Sequence, residues 1–201
     1  NSLALLGLVA QSVTVTVYDV LGSPSNLLYS YTEDLNARTV LDWYDYFFKP
    51  FDLRQSLVLF DLPLVDNAIL TVELDNPGGD SSCGSMVIGA YQDIGFIDER
   101  QAEADALNFS TTDRDAFGNA TMIPRRSIPR ATLAVICDKS QVNVIRNLRT
   151  ELNAKPAVWS GMDDSTNEYS EAFLILGFYR KFTINTAQPT EAVITLELEE
   201  V

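Results

Sequence analysis

Adjacent carboxylates are the side chains here best equipped for chemistry: Glu33-Asp34, Asp98-Glu99, Asp163-Asp164 and Glu199-Glu200. Two carboxyl groups flanking a glycosidic bond, one of them held protonated, would hydrolyse a sugar polymer. No spacing in the sequence sets one such group across from another, and among 28 acidic residues adjacent pairs arise by chance. Histidine is absent altogether. That removes the usual general base, the usual metal ligand and the usual partner of a nucleophilic hydroxyl or thiol. Neither a phosphate-cradling glycine loop nor a nucleophile elbow occurs. The chain is therefore read as a non-enzyme without a cofactor. Asp75, Asn76 and Asp80 offer oxygen ligands in a glycine-containing loop. They lack the calcium-loop spacing and its terminal glutamate, so a plain turn is expected and no metal.

Aromatic and basic side chains are the other candidates. Trp43, Tyr44, Tyr46, Phe47 and Phe48 cluster within six positions. Ring faces stack on sugars, and Asp42, Asp45 or Arg54 would hydrogen-bond hydroxyls, so Trp43, Tyr44, Tyr46 and Arg54 are the candidate glycan platform. The reading favoured over it is that these rings fill a core or an interface, where they bury large area. Trp159 is expected in a core. Arg125, Arg126 and Arg130 lie beside Pro124 and Pro129. Proline cannot donate to a strand ladder, so this basic run belongs to an exposed or edge segment. There it either guards the edge or docks on an acidic neighbour.

Charge bounds the partners. The net charge is −14. Phosphates would be repelled, which argues against nucleic acid. Residues 1–100 hold 14 acids and 4 bases, and residues 101–201 hold 14 acids and 10 bases. Between Arg114 and Arg149 the balance turns to 7 bases and 2 acids. An acidic front and a basic middle can meet head to tail between identical subunits, or both are solvated faces. Leu3 to Ala10 is too short an apolar run to span a membrane and is a poor signal peptide, so no membrane insertion is expected. Cys83 and Cys137 are no disulfide framework, and each is expected to be a small buried apolar residue.

The elements that position these groups read mostly as strands. Val13-Thr14-Val15-Thr16-Val17-Tyr18 alternates at period two, as a half-buried strand does. A turn cluster at Gly22–Asn26 leads to a second strand around Leu27–Tyr31. The aromatic stretch Leu35–Phe51 follows, with Pro50 ending any helix there. Further strands are expected at Ser56–Leu62, Ala68–Leu74 and Cys83–Tyr91, with Asp75–Asp80 as a turn between the last two. Residues 1–95 thus read as a β-sandwich or jelly-roll-like region.

Residues 96–201 read as an α+β region. Glu99–Leu107 is either a short helix or an irregular arm. Asp115–Asn119 is a turn between strands, and Ala131–Ile136 alternates. Asp138–Asn153 is a helix: Asp138 caps it with Gln141 three residues on, Val142, Ile145, Leu148 and Leu152 share a face, and Pro156 stops it. A strand starts at Val158-Trp159, Met162–Ser170 is a polar loop, and strands follow at Ala172–Asn185 and Ala192–Leu198. The fold class expected is mainly β of the α+β kind, with one helix packed on a sheet.

The order of certain segments resembles a known family. They are Gly84-Ser85-Met86-Val87-Ile88-Gly89, Ile94-Gly95, Asp113–Asn119 with its Phe-Gly-Asn turn, and Arg125-Arg126. Then come Leu148-Arg149, Lys155-Pro156-Ala157-Val158-Trp159, Gly177–Phe182 and Leu196-Glu197-Leu198-Glu199. Over about residues 84–201 they resemble distal tail and baseplate proteins of tailed bacteriophages. Val72–Pro77 through Gly89 is similar to the closing strands of the galactose-binding-like jelly roll that several of these proteins carry. Asp98-Glu99-Arg100 stands where that family often has an aromatic-rich segment. The resemblance implies a structural virion protein, assembled in the host cytoplasm. It implies a ring of identical subunits that links the tail tube to other tail proteins. Arg125, Arg126, Arg130, Arg180 and Lys181 are then the expected contacts between subunits. The alternative is a carbohydrate-binding module for host-surface glycans.

Overall fold

Alternation of valine with threonine sets the centre of the first half. In a computed structural model describing residues 1–19, 26–36, 40–49, 53–63, 65–162 and 170–201, the chain forms two compact units, Asn1–Tyr91 and Gln92–Val201. Strand β2 (Ser12–Tyr18) buries Val13, Val15 and Val17 and turns Thr14 and Thr16 the other way. It is flanked by β3 (Leu27–Asp34) and β5 (Ile69–Asp75), both antiparallel. Strand β1 (Ser2–Leu6) is likewise flanked by β4 (Ser56–Leu59) and β6 (Ser85–Gly89). The two three-stranded sheets share one core of Leu3, Leu5, Leu8, Val13, Val15, Leu35 and Leu57.

The passage from β1 to β2 depends on glycine. Gly7 has φ +65°, and a Cβ there would stand 3.3 Å from the Gly84 Cα. Gly84 N–H donates to the Leu6 carbonyl at 3.0 Å, so only bare backbone fits this crossing. Between β3 and β4, Asn36 and Leu53 bridge each other. Helix α1 (Trp43–Phe48) lies in the chain between these two bridged residues.

The second unit is a six-stranded sheet. Its order is β12 (Ala157–Ser160), β13 (Leu174–Asn185), β14 (Glu191–Glu200), β11 (Ser127–Asp138) and β7 (Phe96–Ile97), with β8 (Glu103–Asn108) also pairing β11. All these pairings are antiparallel. One face of β11 and β14 supplies Leu133, Val135, Cys137, Ala192, Ile194, Leu196 and Leu198 to the core. The helix α2 (Val142–Glu151) sends Ile145 into it, with Val142 and Leu152 packed alongside. Trp159 and Phe182 complete the core, and the Trp159 indole N–H reaches the Gly177 carbonyl at 3.2 Å. The fold is mainly β of the α+β kind, as the sequence predicts.

Three expectations change in detail. Glu99–Leu107 is neither helix nor irregular arm: Glu99–Gln101 is a 3-10 turn and β8 follows. Strand β8 is almost wholly exposed, so no apolar period marks it, and its order comes from the ladder to β11. Cys137 is buried but Cys83 is exposed, beside the crossing at Gly7 and Gly84. Asp138 caps a 3-10 turn, Lys139–Gln141, and α2 begins only after it. Gly22–Ser25 of the turn cluster, Pro50, Phe51, Asp163-Asp164 and most of the polar loop lie outside the described residues.

Candidate interaction surfaces

Among the described residues, the carboxylates of Glu33-Asp34 and Asp98-Glu99 have separate local roles. Successive residues of a strand point to opposite faces, so Glu33 and Asp34 separate. Glu33 pairs with Arg54 at 2.5 Å and accepts the Tyr31 hydroxyl at 2.5 Å, while Asp34 accepts the Asn36 N–H. Burial, then the bond to Glu33, pushes the Tyr31 phenol up to about 12. Tyr29, buried and bonded to Asp61, is raised as well. The Tyr29 bond ties β3 to the segment after β4, and the Tyr31 bond stays within β3 and orients Glu33 toward Arg54. Asp98 caps the 3-10 turn, accepting from Arg100 N–H and the Gln101 amide. Asn76 closes the Asp75–Asp80 turn by donating to the Asp80 carbonyl at 2.8 Å. Among the described residues no three His, Cys, Asp or Glu side chains gather as metal ligands.

Four of the five candidate arginine and lysine contacts are engaged within the chain, three of them on one face of the β13–β14–β11 sheet. Strand β13 shifts register between Tyr179 and Lys181, making Arg180 the extra residue of a bulge. Strict alternation would send Arg180 and Lys181 to opposite faces. The bulge instead lets Arg180 reach Glu199 and Lys181 reach Glu197, two residues on the same face of β14. Arg130, opposite Glu199 in the register, donates to it at 2.7 and 2.9 Å. Glu199 is only 6% exposed. Its two guanidinium partners cover it on a sheet face, rather than a core enclosing it. Hydrogen bonding from Arg180 first, then Arg130, holds its carboxyl below the usual range.

Arg125 and Arg126 lie on a different feature. The β8–β11 ladder continues outward as a separate two-stranded sheet, β9 (Thr111–Arg114) with β10 (Ala120–Ile123). Arg125 joins the two parts, its N–H donating to the Ser110 hydroxyl at 3.0 Å. Arg126 donates to the Val201 carbonyl at 3.1 Å and lies 4.0 Å from Glu200, a pair largely open to solvent. Asp115 closes the tip by accepting from the Phe117 and Asn119 N–H groups and the Asn119 amide. Every residue of β9 and β10 is exposed. Phe117 is 91% and Met122 77% exposed. Sequence reading located the turn but not these two side chains as a surface. The signal was present: a phenylalanine inside a tight Asp-Ala-Phe-Gly-Asn turn has no strand face to hide on.

The aromatic cluster is the second open surface. Asp42 caps α1 through the Asp45 N–H at 2.8 Å, and Asp45 accepts from the Leu41 N–H. Leu41, Trp43, Tyr44, Tyr46, Phe47 and Phe48 are all exposed, Trp43 by 78%. The rings pack on each other: Trp43 stacks with Phe47 at 6.4 Å, Tyr44 lies 5.0 Å from Phe48, and Tyr46 meets Phe47 edge-on at 5.1 Å. Trp43, Tyr44 and Tyr46 are thus together on one helix. Arg54 lies across the Asn36–Leu53 bridge, and its guanidinium is engaged by Glu33. No family model and no curated protein sequence matches this chain.

Proposed function

We propose that this chain is a structural virion protein of a bacteriophage tail tip or baseplate, forming a ring by self-association and linking the tail tube to tip proteins. It works by rigid packing rather than catalysis, and its place is the assembled tail. The resemblance over residues 84–201 is the ground for the tail reading, and one structural observation supports self-association. The β9–β10 hairpin stands as its own two-stranded sheet, with large apolar side chains in water. An isolated hairpin of this kind is at best marginally stable and gains order from a partner.

Native mass spectrometry or light scattering at low and moderate salt tests this. A closed assembly of fixed copy number is expected, and a strict monomer at every concentration would refute it. Arg130, Arg180 and Lys181 have close carboxylate partners within the chain, and Arg126 has only a 4.0 Å pair largely open to solvent, so salt sensitivity of the assembly is assigned to Arg125 and Arg126. Charge reversal at both is expected to weaken the ring.

A second reading, glycan binding, is favoured by the exposure of Trp43, Tyr44 and Tyr46 on one helix. Arg54 adds little to that platform while Glu33 holds it. Binding on a glycan array that disappears with Trp43→Ala would support this reading, and an array blank for the wild type would remove it.

A further inference from the structure

We propose that the hairpin tip of one copy, centred on Phe117 and Met122, docks on the aromatic helix α1 of a neighbouring copy. This rests on the self-association reading and names the two surfaces that meet. Each surface is incomplete alone. Helix α1 has six residues, far below the length at which a helix holds itself in water. Its five rings, at about 200 Å² each and roughly two-thirds exposed, offer on the order of 650 Å² of aromatic surface. A standard interface buries about 800 Å² per partner, so the rings supply most of one side. From Asn108 to Asp115 the hairpin can extend at most about 24 Å, enough to reach beyond its own sheet.

The chemistry of the two surfaces is complementary. Helix α1 with its caps carries Asp42 and Asp45 at the start and Lys49 at the end, a net charge of −1. The hairpin, residues 109–126, carries Arg114 on β9 and Arg125 and Arg126 at its base against Asp113 and Asp115 near its tip, a net charge of +1. A guanidinium settles favourably on the face of tryptophan or tyrosine, and Trp, Tyr and Arg dominate the energetic centres of interfaces. A bilayer is a poor occupant for α1, because acidic side chains at its start and a net charge of −14 are repelled by anionic lipid headgroups. The two surfaces also differ from one another. A contact between different patches of identical chains is head-to-tail, and its repetition closes a ring or extends a filament.

Two variants of the full chain, Phe117→Asp and Trp43→Asp, decide the matter by native mass spectrometry. Each alone is expected to dissociate, with the self-association constant weakened about 30-fold or more. Mixed in equal amounts they are expected to form a one-to-one dimer that grows no further. The intact hairpin of the Trp43→Asp copy would seat on the intact α1 of the Phe117→Asp copy. Circular dichroism checks the fold, and a misfolded variant is replaced by Met122→Asp or Phe47→Asp. Wild-type stoichiometry in either single variant would overturn this contact while leaving self-association standing, as would a mixture that stays monomeric. A monomeric wild type would overturn both.

Discussion

Two aromatic clusters of similar composition have opposite fates in this molecule. Trp159, Tyr179 and Phe182 meet edge-to-face, with ring centres 5.5 to 6.5 Å apart, in the core of the second unit. Their polar atoms are satisfied there: the Trp159 N–H by the Gly177 carbonyl, the Tyr179 hydroxyl by the Arg149 carbonyl near the end of α2. Trp43, Tyr44, Tyr46, Phe47 and Phe48 instead stand in water on a six-residue helix. Residue type does not separate the two groups. The first sits on strands whose ladders bring other apolar strands and a helix face around it. The second sits on a six-residue helix between the bridged residues Asn36 and Leu53, where its rings pack on one another and stay exposed. Burial makes an aromatic residue a determinant of stability, and exposure leaves its area for a partner.

The contrast is broken most forcefully at its buried pole. Trp159→Ala is expected to destabilise the chain by about 3–5 kcal/mol, read by denaturant unfolding, because a large cavity opens in the core. A loss below about 1 kcal/mol would show that Trp159 is not part of a close-packed core. Gly177→Ala tests the backbone beside it. A Cβ there would collide with the Glu199 backbone carbonyl, so the cost is expected near the top of the about 1–3 kcal/mol range for overpacking.

Glu199→Gln acts on the opposite face of the same sheet and is expected to cost about 1–2 kcal/mol, discounted because Arg130 and Arg180 are partly exposed. The pH dependence gives the sign. Glu199 has a lowered carboxyl pKa in the fold, so its contribution is present above the ordinary glutamate range and fades as pH falls through the folded value. Melting temperatures of wild type and variant should therefore differ at neutral pH and converge in acid. A constant gap would mean that another group is responsible.

At the exposed pole, Trp43→Ala is expected to change unfolding free energy by no more than about 0.5 kcal/mol. The same substitution is expected to weaken assembly. A large stability loss would place Trp43 in a core and erase the contrast.

Much of the architecture was legible along the chain. Val13 to Val17 and Ala192 to Leu198 alternate, and each became a central strand with its predicted face inward. Val142, Ile145 and Leu152 share a helical face, and that face packs on the sheet core. Asp115 to Asn119 reads as a turn and is one. In each case the determinant is local: a period of two, a period near 3.6, or a side chain that bonds its own backbone. The face such a segment must bury follows from its period alone.

The rest depended on residues far apart in the sequence. Strand β8 has little apolar face and exists because β11 offers it a ladder. The cluster of Arg130, Arg180 and Glu199 joins side chains 69 and 19 positions apart. Its geometry further depends on a bulge that breaks the alternation at Arg180. The aromatics around Trp43 and those around Trp159 are both plausible core material by composition. Local pattern specifies which side chains seek cover, whereas strand pairing and register decide which of them find it. That is why the core of this protein could be read from its periods, while its open surfaces emerged only once the sheets were assembled.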